Sequence, residues 1–270
     1  MAKKPIIYEY YDNIYKFINT VESRKNNSYF GTSSETGDYS FTGTNSYAEA
    51  KEQFANGLSE RAQELKRAVS QFKTRAAKTV NKSRPINYYY GYAPDIPAAI
   101  IGLPKSMKYI EKTPQKIKAI SLYYYSGANC NVEADTLLNS GKTVLQLIYY
   151  LETKNIRTSL YLIPMCADSD ERDFSCMIKL KDFRQNMDIL KLTFPITSPS
   201  MFRRFAFKWS EGLEGFTSHV FGYGHSMDIE KAREVLKPHI EKDGYIINYK
   251  LCQKNDFNAV QLAKDLNIIK

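Results

Sequence analysis

Basic and aromatic side chains alternate in the last third of the chain. Within Thr193–Trp209, the cations Arg203, Arg204 and Lys208 are interleaved with apolar and aromatic residues. At helical spacing, this pattern can bind single-stranded nucleic acid, because cations neutralise phosphates while rings stack on bases. A core helix whose arginines pair with the carboxylates of Asp168–Asp173 would look the same. Both interpretations stay open, and the three cations are candidate nucleic-acid-binding residues.

A second basic segment belongs to a long helix predicted over Ser46–Lys78, whose apolar residues fall on one narrow stripe. Arg61–Arg84 holds eight basic residues against one acid, Glu64. On a helical wheel, these basic residues are spread over the whole surface outside the apolar stripe. This distribution is also typical of a helix face that is exposed to solvent. The candidate nucleic-acid-binding residues of this segment are Arg61, Lys66, Arg67, Lys73 and Arg75.

The run Ser140-Gly141-Lys142-Thr143 is similar to the end of a phosphate-binding loop. However, Thr136 stands where the complete motif has its first glycine. The run also lies inside a predicted helix, whose amide groups are already hydrogen-bonded and cannot face a phosphate. We therefore predict a helix that tolerates a glycine, and no nucleotide cofactor.

Polar loops follow the predicted strands, where open α/β sheets bind ligands. Ser126, Asn129 and Asn131 follow the first strand of the C-terminal half, and Asp168 and Asp170 follow the second. A hard cation takes oxygen ligands, but the first loop has no carboxylate at the key position, and Asp168 and Asp170 could add ligands only from one loop away. Surface turns are the alternative that the composition favours, and no metal is predicted.

Histidine and cysteine also show no catalytic pattern. His219 and His225 flank the glycine-rich bend Phe221–Gly224, but no third ligand and no nucleophile motif accompany them. His239 is predicted to be a cation at a helix end. The four cysteines form no closely spaced pair, which predicts free thiols. We name no catalytic residue, no metal ligand and no cofactor.

Alternating strands and helices must position these residues. Strands are predicted at Ile117–Tyr125, Arg157–Met165, Phe174–Leu180 and Tyr245–Leu251, and helices at Glu133–Thr153, Arg184–Leu192, Met201–Glu211, Asp228–Ile240 and Phe257–Leu266. This order predicts an α/β fold with a mostly parallel sheet flanked by helices. An amphipathic helix is predicted over 6–22, and one edge strand at Tyr39–Thr42.

Three regions are expected along the chain. Residues 1–90 would form an N-terminal helical arm with a polar loop, and residues 91–116 a proline-rich, ordered connector. Residues 117–270 would form the α/β domain. A further basic patch covers residues 104–118, where five lysines accompany one glutamate.

Composition limits the classes of protein to consider. The chain has 270 residues and a net charge of +9, with 43% hydrophobic and 25% charged residues. These values exclude wholesale disorder and bias encounters towards polyanions. No apolar run approaches the roughly 20 residues of a membrane-spanning helix, so no membrane partner is expected. The first 13 residues lack the apolar segment of a signal peptide.

Several proline- and glycine-marked segments are distinctive: Phe41–Thr44 with Glu49, Ala50 and Gly57, then Pro94–Met107, Phe194–Arg204 and Phe221–Gly224. Over nearly the whole chain the sequence resembles a family of uncharacterised proteins encoded by bacteriophages and prophages. The resemblance implies a Rossmann-type second half similar to a degenerate von Willebrand A domain. It also implies a place of action in the cytoplasm of an infected cell, with the virion as an alternative.

Such domains bind partners through a metal site, and this chain lacks the leading aspartate of that site. The resemblance implies no activity for any residue. We expect a non-enzymatic phage protein that binds DNA, RNA or a nucleoprotein complex through basic and aromatic surfaces. The alternative is a protein-interaction or virion structural module, including an inhibitor of a host factor. A nucleotide- or metal-dependent enzyme is a third hypothesis.

Overall fold

The computed structural model describes residues 6–26, 34–35, 37, 39–73, 85–110, 118–168, 173–213 and 226–269. Only the backbone is described at 59–60, 69–73 and 166–168. The chain forms two compact units. Met1–Thr74 and Lys118–Lys270 make the large unit, and Arg75–Ile117 makes the small unit. Most of the N-terminal segment that is predicted to form the helical arm belongs to the same unit as residues 118–270.

A five-stranded mixed sheet lies at the centre of the large unit, in the order β1-β7-β6-β5-β8. Its strands are β1 (Ile6–Tyr11), β5 (Ala119–Tyr125), β6 (Arg157–Asp168), β7 (Asp173–Lys181) and β8 (Gly244–Asn248). Neighbouring strands are parallel except β6 and β7, which are antiparallel. This confirms the α/β class and the mostly parallel sheet that the strand-helix alternation predicts.

Helices flank the sheet. They are α1 (Ile14–Ser23), α2 (Tyr39–Thr42), α3 (Tyr47–Asn56), α4 (Ser59–Lys73), α6 (Ala134–Thr153), α7 (Ile189–Thr197), α8 (Phe207–Glu211), α9 (Ile229–Leu236), α10 (Tyr249–Lys254) and α11 (Ala259–Asp265). A π-helical segment, Met201–Ala206, runs directly into α8, and a 3₁₀ turn, Lys237–His239, follows α9. None of the helices in these described ranges has the length and apolarity needed to cross a membrane.

Strand β5 divides the core into two layers. Leu122 and Tyr124 face the larger cluster, while Tyr123 and Tyr125 face a smaller cluster that includes residues of α9. All four side chains are buried, because successive residues of a strand point to opposite faces and both faces of this sheet are covered. The predicted strand at Ile117–Tyr125 and the predicted helix at Glu133–Thr153 are confirmed, with shifts of one or two residues at their ends.

The small unit has a three-stranded antiparallel sheet in the order β2-β4-β3, with β2 at Pro85–Tyr88, β3 at Ala93–Pro94 and β4 at Met107–Ile110. One short helix, α5 (Ile96–Ile100), joins β3 to β4. Asp95 begins this helix, since its carboxylate accepts a hydrogen bond from the Ala98 amide. The segment predicted to be an extended connector therefore pairs with itself.

Several predicted boundaries are wrong for identifiable reasons. The helix predicted over 6–22 is β1 followed by α1, because Asn13 caps a helix start at Ile14. The helix predicted from Ser46 does begin there, but Gly57 has φ of 66° and ends α3. The edge strand predicted at Tyr39–Thr42 is a single helical turn, α2.

Two C-terminal elements also differ from the prediction. The helix predicted at Arg184–Leu192 begins only after Asp188, whose side chain accepts a hydrogen bond from the Lys191 amide, and it continues to Thr197. The strand predicted at Tyr245–Leu251 ends at Asn248, which caps α10.

Gly141 allows α6 and α7 to approach closely. A Cβ atom at this position would lie 2.1 Å from the Ile196 carbonyl oxygen of α7, a backbone atom that cannot rotate away. The two helices are therefore in contact at a site where only glycine fits.

Glu9 connects β1 to α8. Its carboxylate accepts hydrogen bonds from the Tyr11 hydroxyl, from the Arg24 guanidinium at 2.6 Å and from the Trp209 indole at 2.8 Å. Burial raises the pKa of Glu9, but these three donors outweigh it, and the net pKa lies below the ordinary value. The ionised carboxylate therefore stabilises the attachment of β1.

Gly141→Ala should lower the free energy of unfolding by about 1–3 kcal/mol, because the overpacked contact outweighs the better helix propensity of alanine. Urea denaturation measures the change. Asn139→Ala, on the exposed side of the same helix, is the matched control and should be neutral or slightly stabilising. Equal effects of the two variants would contradict the contact.

Stability should fall as the pH drops from about 5 to about 3, partly through Glu9. A carboxyl whose pKa is lowered in the folded state stabilises the protein above its unfolded pKa, and this contribution is lost as it becomes protonated. Glu9→Gln should lower stability at pH 7 and flatten the acid side of the profile. Chemical denaturation across this pH range tests this, and an unchanged acid slope in the variant would refute the assignment.

Candidate nucleic-acid interface

The two predicted arginines lie in the π-helical segment Met201–Ala206. Arg203 is 1% exposed and Arg204 is 0% exposed. A π-helical segment has a wider turn than an α-helix and often marks a specialised site. Here it contains two consecutive guanidinium groups that are both inside the protein.

Arg203 binds the loop after β5 to helix α2. Its guanidinium donates to the carbonyl oxygens of Phe41 at 2.6 Å, Val132 at 2.7 Å and Asn129 at 3.4 Å. It also lies over the Phe41 ring, 4.0 Å from the centroid. Burial lowers the pKa of Arg203 to about 10, so the side chain remains charged at neutral pH.

Arg204 organises the polar segment that precedes α3. It donates to the carbonyl oxygens of Ser34 at 2.9 Å, Thr44 at 2.8 Å and Gly37 at 3.5 Å. It also donates to the hydroxyl oxygens of Thr44 at 2.7 Å and Thr42 at 3.1 Å. Ser200 adds a hydrogen bond to the Thr42 carbonyl oxygen at 2.6 Å. The segment is thus held by hydrogen bonds to buried cations.

This geometry corrects the prediction that Arg203 and Arg204 contact nucleic acid, because neither side chain reaches the surface. The alternative hypothesis, a core helix, agrees with the burial of both arginines. It is wrong about the acceptors of Arg203, which are backbone carbonyl groups rather than carboxylates of Asp168–Asp173.

Lys208 already has partners in the large unit. Its ammonium nitrogen lies 4.0 Å from the centroid of the Tyr47 ring and 3.4 Å from a Glu35 carboxylate oxygen. These contacts place Lys208 in a charged pocket of about 210 Å³ that also includes Glu22 and Glu211.

The two other carboxyls of that pocket differ in their environment. Burial raises the pKa of Glu211, which accepts hydrogen bonds from the Ser34 amide and hydroxyl groups. Burial also raises the pKa of Glu22, but hydrogen bonds from Lys51 and Tyr47 outweigh this effect, so the net pKa lies below the ordinary value. Opposite shifts are a pattern of acid–base sites. Here each carboxyl serves a structural contact.

Helix α4 spreads its candidate cations over several directions. Arg61 is half-buried, whereas Lys66 and Arg67 are exposed, and Ala62 and Leu65 between them are buried in the core. The Lys73 side chain and the whole of Arg75 lie outside the described residues. Among the described positions, the helix presents separate cations rather than one basic face.

The small unit contains a surface that the sequence reasoning did not assign to binding. Tyr89, Tyr90 and Tyr92 are 62%, 62% and 65% exposed. The exposed lysines Lys105 and Lys108 belong to the same unit, and the Lys105 ammonium group lies 5.5 Å from the Tyr89 ring centroid. We call these three tyrosines and two lysines the tyrosine surface.

A cluster of rings supports the tyrosine surface. The Tyr90 ring packs edge-on against Tyr88 and Tyr109, with centroid distances of 5.0 Å and 5.4 Å. Between the exposed rings, Gly91 lies so close to β4 that a Cβ atom would come within 2.1 Å of the Lys108 carbonyl oxygen. The backbone is therefore fixed where the tyrosines project.

Charge is concentrated in the same unit. Residues 75–117 include eight lysines and arginines and two acidic residues, Asp95 and Glu111, a net charge of +6 out of +9 for the whole chain. The sequence signal for this surface is the run Asn87–Tyr92, which has four tyrosines in six residues shortly after Lys82 and Arg84. The prolines of the same region favour a connector, so the sequence pattern does not predict a binding surface there.

The residues that resemble a phosphate loop and those of the polar loops after the strands make contacts within the protein. Gly141 is inside α6, where the hydroxyl groups of Ser140 and Thr143 donate to carbonyl oxygens one turn earlier. Asn129 accepts a hydrogen bond from Ser226 at 3.3 Å. Within the described residues, no group of three or more His, Cys, Asp or Glu side chains could hold a metal ion.

The histidines and aspartates that the sequence analysis considers are described only in part. His219, His225 and Asp170 lie outside the described residues, as does the side chain of Asp168. The His239 ring stacks on Tyr8 with a centroid distance of 3.5 Å, and burial lowers its pKa. At neutral pH His239 therefore serves as a stacking partner rather than as the predicted cation.

Arg204→Met should lower the free energy of unfolding by about 3 kcal/mol or more, because several buried carbonyl and hydroxyl oxygens lose their donor. Urea denaturation measures the loss, and Lys66→Met on the exposed side of α4 is the control. A loss below about 1 kcal/mol would show that the polar segment does not depend on this cation.

Comparison with known families places nearly the whole chain in a family of unknown function. A family described as a domain of unknown function, DUF7192, matches residues 2–270. No curated protein and no solved structure matches the chain. The family match spans the buried arginines of the large unit and the tyrosine surface of the small unit alike, and the chain therefore belongs to the DUF7192 family.

Proposed function

We propose that this chain is a non-enzymatic protein that binds single-stranded DNA or RNA through the tyrosine surface. The observation that carries the proposal is the exposure of Tyr89, Tyr90 and Tyr92 beside Lys105 and Lys108. Flat rings that face solvent next to cations suit a strand of unpaired bases, because every base has a face that can stack.

The charge of the small unit supports the same partner. A net charge of +6 within residues 75–117 attracts a polyanion and gives an affinity that falls with salt. Arg61 and Arg67 of α4 add to the positive potential of the protein. They are not part of the tyrosine surface.

A second candidate function rests on a different observation. Ile96, Ile100, Ile101 and Leu103 are all exposed and follow each other closely in and after α5. Aliphatic side chains bury well against another protein but do not stack on bases. This favours the alternative of a protein-interaction module, including a virion component or an inhibitor of a host factor.

The von Willebrand A-like character of the second half and the phage context are part of the proposal. The spatial order β7-β6-β5-β8 places the strands that follow residue 117 in the order third, second, first and fourth. This order supports a Rossmann-type half. A phage-encoded protein acting in the host cytoplasm rests on the resemblance of the motif segments alone.

Binding should be measured by fluorescence anisotropy with a labelled single strand of about 12 nucleotides and the matching duplex, at about 50 and 200 mM salt. The wild-type protein should bind the single strand more tightly, and the affinity should fall with salt. Tyr89→Ala/Tyr92→Ala should weaken single-strand binding at least about tenfold, since each stacked base contributes about 1–3 kcal/mol.

Tyr39→Ala removes an exposed tyrosine of the large unit and is the matched control, which should bind as the wild type does. Tyr90 is left intact because it packs against Tyr109. Absence of single-strand binding at low salt would reject the proposal, as would an equal loss in the control. A binding partner captured through Ile100 and Ile101 would then support the second function.

A further inference from the structure

A pocket of about 580 Å³ lies in the large unit where the carboxyl end of α6 meets the start of β6. Its lining includes the cations Lys66 and Arg157 and the amides Asn155 and Asn186. Helices α4 and α6, strand β6 and the segment that leads into α7 each contribute side chains. The pocket shares no residue with the tyrosine surface, so what it binds does not depend on the proposed function.

Two cations in this pocket have no counter-ion among the described residues. Within the described part of the chain, neither the Lys66 ammonium group nor the Arg157 guanidinium group takes part in an ion pair or side-chain hydrogen bond. Among the described lining residues the carboxylate is that of Glu152, which lies 2.6 Å from the Lys181 ammonium group and accepts a hydrogen bond from Thr158 at 3.1 Å. The pocket is therefore positively charged.

The rest of the lining offers a flat ring, apolar contacts and amides. The Tyr149 ring and the Met187 and Ile189 side chains supply apolar area. The side-chain amides of Asn155 and Asn186 make no hydrogen bond to the described residues, so their donors and acceptors are available. Asn155 has φ of 62°, a left-handed conformation that asparagine tolerates better than most residues.

We infer that this pocket binds the phosphate, sugar and base of a nucleoside 5′-monophosphate. Arg157 and Lys66 bind the phosphate, because charged donors form the strongest hydrogen bonds to phosphate oxygens. Tyr149 and Met187 contact the base, and the two asparagines bind its polar edge. The volume falls in the range of small-molecule sites. Either a free nucleotide or the 5′-phosphorylated end of a strand supplies this chemistry.

One feature opposes an anion here. The carboxyl end of α6 carries the negative end of the helix dipole, which disfavours a phosphate close to its axis. The dipole acts as about half a unit charge, whereas Lys66 and Arg157 supply two full positive charges. The cations therefore decide the sign of the local potential, and the phosphate is expected on their side of the pocket.

Isothermal titration calorimetry of the full chain tests the inference with AMP, GMP, CMP and UMP, and with adenosine and inorganic phosphate as partial ligands. At least one monophosphate should bind more tightly than both partial ligands. Lys66→Gln and Arg157→Gln should each weaken that monophosphate about tenfold or more. Lys154→Gln removes a cation at the same end of α6 that does not line the pocket, and it should leave the affinity unchanged.

The results separate the sources of the ligand. A 5′-phosphorylated trinucleotide that binds as tightly as the monophosphate, while the unphosphorylated trinucleotide does not, would identify strand ends as ligands. No heat with any monophosphate at millimolar concentration would overturn the inference. The inference would also be overturned if inorganic phosphate bound as tightly as the nucleotides. The same holds if Lys154→Gln weakened nucleotide binding as much as the variants of the pocket do. Lys66 lies on an exposed part of α4, so its variant keeps the test valid if Arg157→Gln does not fold.

Discussion

The large unit depends on the burial of two adjacent guanidinium groups. Removing a charge from water costs several kcal/mol even after the protein relaxes, and the cost is offset only if oxygen atoms replace the lost water. Phe41, Asn129 and Val132 supply carbonyl oxygens to Arg203, while Ser34, Gly37, Thr42 and Thr44 supply oxygens to Arg204. The polar segment before α3 has few apolar side chains to bury, so the cations fix its path.

A second constraint is the packing of α6. This helix crosses α7 at Gly141 and reaches from the loop after β5 to the pocket at the start of β6. The close contact sets the position of α7, and with it the π-helical segment that carries both buried arginines. Packing and polar burial are therefore linked: the helix contact positions the cations, and the cations then order the loops around them.

The sequence predicts the elements whose pattern is long and local. Helix α6 and strands β5, β6 and β7 follow from hydrophobic periodicity, because their buried faces repeat over seven or more residues. Strand β1 does not follow from the sequence, because the apolar residues of IIYEYYDNIYKF fit both the period of 2 of a strand and the period of 3.6 of a helix. Only its pairing with β7, 167 residues later in the chain, decides between them.

The candidate sites were harder to predict than the fold. Interleaved arginines and aromatics suit an interior and a nucleic-acid surface equally well, since the acceptors of Arg203 and Arg204 come from distant parts of the chain. In the small unit, the prolines favour an extended connector, whereas the antiparallel pairing of Asn87 with Lys108 depends on a return of the chain that no local pattern shows. The exposure of the tyrosines follows from that pairing.

The pairing of β1 with β7 also affects the order in which the protein can assemble during synthesis. Ile6 leaves the ribosome long before its neighbour Asp173, and Glu9 leaves 200 residues before Trp209. At a synthesis rate of about 5–20 residues per second, the first strand waits about 10–40 s for its partners. During that time its apolar residues and its backbone amides are open to other chains. The nascent protein therefore needs either rapid completion or a temporary cover for its own N-terminal strand.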